Sequence, residues 1–383
     1  MAGPPIHVVY LIDYFHRTGG TERHLSHLVT LLPRAEFTCT IVAFDLGENA
    51  LLDGIRKHGV RVLHLPVQRE YDLNGIRRAR ELWSLLRDLR PDIVQTYHQK
   101  SDTYGAAVAR LAGVRHLVSS KRDTGETRKP REVFLNRRLK GLFERVIVVA
   151  DAVGKSVAAN DGLDPARLVR IYNGVDAREF RPPTAQQRSD ARERLHFSAN
   201  DFVIGMVAGF RPEKRHDIFF EGLRRALAVA PQIKVVLAGG GPLLEHYQGV
   251  CAGEGLANRV TFTGAVHDVN RFLHAVDAGC LVPGSNEGFS NAVLEKMAMG
   301  LPLIVTDVGG NAEAVVDGSN GYIIPPNDDI AFGDALVKMC ADPARAAAMG
   351  QASRRYVEER FSLDAMWQAH AALYRSICRG ASA

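Results

Sequence analysis

Two carboxylates eight residues apart, Glu287 and Glu295, frame the run Gly284-Ser285-Asn286-Glu287-Gly288-Phe289-Ser290-Asn291-Ala292-Val293-Leu294-Glu295. Carboxylates accept paired hydrogen bonds from vicinal hydroxyls, so one could hold a sugar and the other a ribose, with a diphosphate between them. The elements that must position them can be read locally. Gly279-Cys280-Leu281-Val282-Pro283 reads as a buried strand and residues 292–299 as a helix, which makes the Gly- and Asn-rich piece between them a strand-to-helix turn. Such a turn lies at the carboxyl edge of a parallel sheet, where α/β proteins bind ligands, and N–H groups at the helix start favour an anion. With Ser290 or Asn291 as N-cap, Glu287 falls in the loop and Glu295 more than a turn inside the helix. Taken alone, such a pair is more often a solvated loop acid and a helix-surface charge.

A second set of charges lies on Gly209-Phe210-Arg211-Pro212-Glu213-Lys214-Arg215, after the apolar run 202–208. Arg211 and Lys214 belong to a carboxyl-edge loop, where two cations can neutralise a diphosphate and stabilise it as a leaving group. Arg215 rivals Lys214, and a basic loop before a helix is commonplace in itself. Gly19-Gly20 ends the first strand-to-helix loop, where a missing side chain lets the backbone approach a ligand; a plain flexible turn is the alternative. Asp92-Ile93-Val94-Gln95-Thr96-Tyr97-His98 runs off a strand, and His98 could hydrogen-bond a sugar or a phosphate in either charge state near pH 7, against the commoner surface histidine. Lys100, Asp102, Arg122 and Asp123 are further candidates for acceptor contacts, and Thr18 and Glu22 flank the Gly-Gly turn. Ala238-Gly239-Gly240-Gly241-Pro242 is another glycine turn, without the Lys-Ser/Thr ending of a Walker loop or G-x-G-x-x-G spacing. No Asp-x-Asp occurs, so the clustered oxygen ligands that a hard divalent ion needs are not evident.

At 383 residues two domains are the default expectation. No apolar stretch approaches the roughly 18 residues of a spanning helix. A first strand over residues 6–11, with no basic region and long apolar run before it, points to a cytoplasmic protein. Cys39, Cys251, Cys280, Cys340 and Cys378 are scattered and odd in number, as reduced thiols would be, and form no zinc or disulfide pattern. The net charge of +5 is uneven: up to Asp176 there are 27 Lys and Arg against 20 Asp and Glu. Lys121, Arg122, Arg128, Lys129, Arg131, Arg137, Arg138, Lys140 and Arg145 form a dense part of the excess. Such a cluster can meet anionic lipid, a phosphorylated acceptor or nucleic acid, or be a solvated helical face; no aromatic-interleaved or helix-turn-helix pattern supports nucleic acid.

Apolar strands alternate with helical segments through both halves, including a helix expected over residues 103–112, which argues doubly wound parallel sheets. Asn173-Gly174-Val175-Asp176 and Phe180-Arg181-Pro182-Pro183 have linker composition, so domains are expected at 1–176 and 177–361, with 362–383 as a final helix.

Glu287-Gly288-Phe289 with Glu295 resembles the E-x7-E signature of the retaining glycosyltransferases of family 4. Gly300-Leu301-Pro302-Leu303-Ile304-Val305-Thr306-Asp307-Val308-Gly309-Gly310 and Glu313 look like the same family, and Gly209 to Lys214 is similar to its G-R-x-x-x-x-K element with a shorter spacing between the cations. The resemblance is strong over residues 203–325 and looser before 173. It implies an α/β GT-B fold of two facing Rossmann-like, doubly wound parallel-sheet domains with an interdomain cleft, the acceptor on the first, the donor on the second and the last helix returning to the first. It also implies transfer of a sugar from a UDP- or GDP-linked donor to an acceptor hydroxyl, with retention and with neither metal nor cofactor, in polysaccharide, glycolipid or cell-envelope glycan synthesis. The acceptor would be a glycan, lipid-linked or phosphorylated, with peripheral contact to the inner face of an anionic membrane and no role for nucleic acid. Glu287, Arg211, Lys214 and His98 would be catalytic. Gly19, Gly20, Arg211, Lys214, Gly288, Phe289, Ser290, Asn291, Glu295, Gly240 and Thr263 would bind the donor. A sugar-nucleotide epimerase and a non-catalytic nucleotide-sugar-binding subunit are the alternatives on the same architecture.

Overall fold

The computed structural model describes residues 4–16, 19–266 and 268–379. Strands β1 (Ile6–Ile12), β2 (Phe37–Ala43), β3 (Arg61–His64), β4 (Ile93–Tyr97), β5 (His116–Lys121), β6 (Arg145–Val148) and β7 (Leu168–Arg170) form one parallel sheet in the order β3-β2-β1-β4-β5-β6-β7. Strands β8 (Phe202–Val207), β9 (Ile233–Ala238), β10 (Val260–Gly264), β11 (Ala278–Leu281), β12 (Leu303–Thr306) and β13 (Gly321–Ile324) form a second, in the order β10-β9-β8-β11-β12-β13. The strands are near-continuous apolar runs because helices cover both faces of each sheet; Val8 to Ile12 are all fully buried.

In each sheet the strand order reverses once. β1 pairs with both β2 and β4, and β8 with both β9 and β11. From the carboxyl ends of β1 and β4, and again of β8 and β11, the chain departs in opposite directions and leaves a crevice. The candidate residues collect at these two edges.

One compact unit runs to Asn173 and resumes at Leu363; the other is Gly174–Ser362. The boundaries therefore differ from those expected at 176 and 361. Val175 N–H donates to the Phe361 carbonyl at 2.9 Å, and Val175 bridges Ser362, which ties residues 174–176 to the second unit. The helix Leu363–Arg379 supplies Met366, Tyr374 and Ile377 to the same core as Val8, Tyr10 and Phe37. Its Tyr374 hydroxyl donates to Gln95 Oε1 at 2.7 Å, so Gln95 is a core residue of the first unit.

The helix expected over residues 103–112 begins earlier, as a turn at His98–Lys100 continuing through a wide turn at Ser101–Gly105 into Ala106–Leu111. The cause lies far away in sequence. Asp13 accepts the N–H groups of Lys100 and Ser101 at 2.7 and 2.6 Å and so caps the first turn.

His24, on the helix Gly20–Leu31, and His370 are buried against one another with ring centroids 5.3 Å apart. His370 Nδ1 pairs with the Met366 carbonyl at 3.0 Å, while its Nε2 and both His24 nitrogens have no partner among the described residues. Burial pushes both pKa values down, that of His370 to about 4. The folded state thus holds neutral rings that the unfolded chain would protonate near 6.5, so stability present above that pH is lost as pH falls toward 4, by up to about 1.4 kcal/mol per pH unit for each histidine. Melting temperature recorded from pH 7 to 4.5 should fall, and should fall less steeply in His370→Phe; parallel profiles would remove His370 from this account.

Candidate active site

The second unit is built around the turn after β11. The Gly284 N–H donates to the Glu213 carbonyl at 3.0 Å, and Asn286 takes a left-handed conformation (φ 50°) that swings the chain toward Glu287. Phe289 is buried, its ring edge-on to Phe361 at 5.0 Å, and so anchors the loop. Ser290 is extended and holds the N-cap position of the helix Asn291–Ala298 without a side-chain capping bond. Glu287 accordingly lies in the loop, while Glu295 lies within the helix and is only 6% exposed.

From β8 the chain enters the loop at Gly209 and a single 3-10 turn, Pro212–Lys214, before the helix His216–Val229. Arg211, extended in backbone, stands just before this turn and Lys214 ends it. Lys214 Nζ lies 2.6 Å from Glu287 Oε2, with the two side chains 14% and 12% exposed. Arg211 is 55% exposed, its Nε 3.0 Å from Glu213 Oε1. Arg215 is left-handed (φ 49°) and turns away, donating to Asp217 at 2.9 Å and to Asn327. Of the two rivals, Lys214 is the one beside Glu287.

Glycines hold these loops by backbone contact. A Cβ on Gly309 (φ +59°) would stand 2.1 Å from the Glu287 carbonyl oxygen, and the Gly310 N–H donates to the Gly288 carbonyl at 2.6 Å. A Cβ on Gly239 would meet the Ala208 carbonyl oxygen at 1.9 Å, and the Phe210 N–H donates to the Gly240 carbonyl at 2.9 Å. The glycine turn after β9 thus braces the cation loop. Gly240 itself has room, the nearest atom to its Cβ position being the Ala265 methyl at 3.9 Å. Thr263, on β10, has its hydroxyl within hydrogen-bond distance of the Leu237 carbonyl, at 3.2 Å.

Sequence reasoning passed over Lys296 and His216. Lys296 is fully buried behind Glu295, its pKa lowered to about 8 chiefly by burial, and its Nζ donates to the Ala292 carbonyl at 3.1 Å. His216 stacks on Phe210 at 4.1 Å, and burial lowers its pKa to about 4. The signal for each was a polar residue at a core-facing helical position.

In the first unit Gly19 precedes the helix Gly20–Leu31, and a Cβ there would lie 2.6 Å from Glu22 Oε2. Thr18 lies outside the described residues. His98 follows β4 in a left-handed conformation (φ 71°), stacked on Tyr14 at 4.4 Å, with burial lowering its pKa to about 4. The ring is neutral at pH 7 and able to donate from one nitrogen and accept at the other.

Lys100 and Asp102, expected to meet an acceptor, are committed to the fold. Lys100 Nζ donates to the Val67 and Gln68 carbonyls at 2.6 and 3.2 Å. Asp102 is buried and accepts from Thr96 Oγ1, Ser119 Oγ and Lys121 Nζ at 2.5, 2.8 and 2.7 Å. The basic cluster is likewise split. Lys121 and Arg128 turn inward to Asp102 and Asp161, at 2.7 and 2.8 Å, and Arg122 Nη2 donates to Asn173 Oδ1 at 2.6 Å, whereas Lys129, Arg131, Arg137, Arg138 and Lys140 are exposed.

Comparison with known proteins follows both halves. The model described as Glycosyltransferase Family 4 matches residues 18–179, and that described as Glycosyl transferases group 1 matches residues 201–342. The Escherichia coli UDP-Gal:alpha-D-GlcNAc-diphosphoundecaprenol alpha-1,3-galactosyltransferase is 28% identical over 338 residues, 84% of this chain and 85% of that one. The Mycolicibacterium smegmatis GDP-mannose-dependent alpha-(1-6)-phosphatidylinositol monomannoside mannosyltransferase is 30% identical over 260 residues, 65% and 67% of the two chains. Among solved structures, Anabaena Alr3699/HepE in complex with UDP superposes with a TM-score of 0.85 at 22% identity, covering 97% of this chain and all of that one. With two reversed parallel sheets and both family models in register along the sequence, the chain belongs to glycosyltransferase family 4 and is a glycosyltransferase of the GT-B fold.

Proposed function

We propose that this glycosyltransferase moves a sugar from a UDP- or GDP-linked donor to a hydroxyl of a lipid-linked or glycan acceptor in envelope glycan or glycolipid synthesis, with retention at the anomeric carbon and without a metal ion. The observation that carries this reading is the Lys214–Glu287 pair with Arg211 one short turn away, all beside a helix start. Relatives support the substrate classes: the Escherichia coli enzyme is named for a UDP-linked donor and a diphosphoundecaprenol acceptor, and the Mycolicibacterium smegmatis one for GDP-mannose and a phosphatidylinositol mannoside.

On this reading Arg211, Lys214 and the N–H groups at Asn291 take the donor diphosphate, Glu287 accepts hydrogen bonds from the sugar hydroxyls, and Glu295 accepts them from the ribose. Neutral His98 hydrogen-bonds the transferred sugar. The bond from the anomeric carbon to the diphosphate oxygen breaks, and the acceptor oxygen bonds to that carbon on the same face. The acceptor proton passes to the β-phosphate oxygen. Two cations supply the charge that metal ions supply elsewhere. The named relatives are transferases, and no observation favours the epimerase or the non-catalytic subunit.

Proton NMR of the product, formed with EDTA present, should show the donor's own anomeric configuration at undiminished rate. Inversion, or dependence on added magnesium, would overturn the corresponding half of the reading. Arg211→Ala should lower kcat at least tenfold with little change in KM for the donor, whereas Glu295→Ala should chiefly raise that KM; the reverse pattern would exchange their roles.

Among the described residues no helix is long and apolar enough to cross a membrane. Peripheral contact is a different matter. The outward stripe of the helix Leu73–Leu89 carries Leu73 (87% exposed), Ile76, Arg77, Arg80, Trp83 and Arg87, spaced at helical repeats. Trp83 Nε1 donates to the carbonyl of Leu111, itself 78% exposed, and Arg138 lies over the exposed ring of Phe134 at 5.2 Å. Exposed apolar side chains interleaved with arginines match an anionic bilayer, which takes the first into its interface and the second at its headgroups. Flotation should recover the protein with phosphatidylglycerol vesicles and not with phosphatidylcholine, and Arg77→Glu with Arg80→Glu should abolish recovery; indifference to lipid charge would remove the membrane role.

A further inference from the structure

A cavity of about 250 Å3 opens in the first unit beyond the ends of β1, β4 and β5, among Asp13, Tyr14, His98, Lys121, Arg122 and Arg128. Its three cations are not alike. Lys121 lies 2.7 Å from Asp102 and 3.8 Å from Asp161, and Arg128 lies 2.8 Å from Asp161, so both are neutralised within the fold. Arg122 has no carboxylate at ion-pair distance among the described residues. Its Nη2 donates to the neutral amide oxygen of Asn173, and its Nη1, shut off from water, has no partner among the described residues. Glu22 acts on it only at longer range, and the carboxylate of Asp123 at the cavity rim accepts the Gly125 N–H at 2.9 Å.

A guanidinium without a counter-charge and with one nitrogen withdrawn from water is costly unless something completes it, and no described residue supplies that charge. Beside it His98 Nδ1 is also out of solvent and unpartnered among the described residues, and the Tyr14 ring closes one wall by stacking on His98. The cavity is thus a place with an unspent guanidinium donor, an imidazole nitrogen and an aromatic wall. With a water occupying about 30 Å3 of liquid, the space takes roughly eight waters, enough for a phosphate group.

We propose that this cavity binds an anionic group of the acceptor, a phosphate ester, with the Arg122 guanidinium meeting its charge and the His98 ring beside it. Anion binding stands on the geometry alone; calling the anion part of the acceptor rests on the transferase reading. The guanidinium would then act as a specificity device, because an acceptor without the charge would leave Arg122 without a counter-charge.

Thermal shift of the full chain tests this, with inorganic phosphate and glycerol 3-phosphate as probes at matched ionic strength, each with saturating UDP to occupy the diphosphate-binding residues of the second unit. Glycerol 3-phosphate should raise the melting temperature by several degrees and more than phosphate does, and Arg122→Met should abolish that shift while leaving the UDP shift intact. An undiminished shift in Arg122→Met, or no shift with either probe while UDP still stabilises, would overturn the anion site. Equal shifts with both probes would overturn the acceptor assignment and leave a free-phosphate site. A phosphate-ester shift without any UDP shift would instead count against the donor reading and sustain the cavity. Should Arg122→Met fail to fold, Arg122→Lys in the [15N]arginine-labelled chain identifies the Arg122 side-chain resonance; that resonance in the unaltered protein must move on adding glycerol 3-phosphate, and a stationary one refutes the proposal.

Discussion

A lysine and a glutamate brought largely out of water can coexist only as a pair held at good geometry, since each alone would incur the full loss of hydration. Lys214 and Glu287 are such a pair, and much of the second unit serves to fix the two loops that carry them. Gly309 and Gly310 pack backbone to backbone on the Glu287 loop, and the Gly239 to Gly241 turn does the same for the loop of Arg211. A side chain at Gly309 or Gly239 would occupy the space of a carbonyl oxygen, so the glycines there are demanded by close approach as much as by conformation. The residues of the family signature thus divide into those that could touch a ligand and those that keep the first group in register.

The ion pair also bears on how such an edge could work. Lys214 is already neutralised by Glu287, so the two do not present a bare positive charge to solvent. On the proposed reading an arriving diphosphate takes up the lysine while the glutamate turns its acceptor oxygens to the sugar hydroxyls, and a charge-assisted contact replaces one of the same kind. On that reading Arg211, more than half exposed and paired with Glu213, is the one able to follow charge as it develops on the leaving group.

The sequence made the turn at 284–291 legible because its signals are local: an apolar run, a glycine, a capping serine and a helical repeat. The placing of Glu287 outside the helix and Glu295 within it follows from the cap alone. What could not be read were partners supplied from a distance. Asp13 caps the turn at Lys100 from some ninety residues away, and Asp102 is claimed by Thr96, Ser119 and Lys121. Nothing in the neighbourhood of Lys100 or Asp102 shows that either is committed to the fold, which is why both passed for acceptor contacts. The charge run from Lys121 to Arg145 misled for a related reason: a list of cations carries no record of which have carboxylates waiting across the sheet.

Arg122 stands apart from its neighbours in this respect. In a cluster where Lys121 and Arg128 each find a buried carboxylate, a third cation without one among the described residues is not explained by the fold's own stability, since a neutral side chain of similar size would cost less there. Asn173 does part of the work: its amide oxygen orients the guanidinium without cancelling its charge. An aspartate at that position would neutralise Arg122 and satisfy the fold, and would leave the cavity with no charge to offer. An amide rather than a carboxylate at that position leaves the guanidinium's charge available to a ligand.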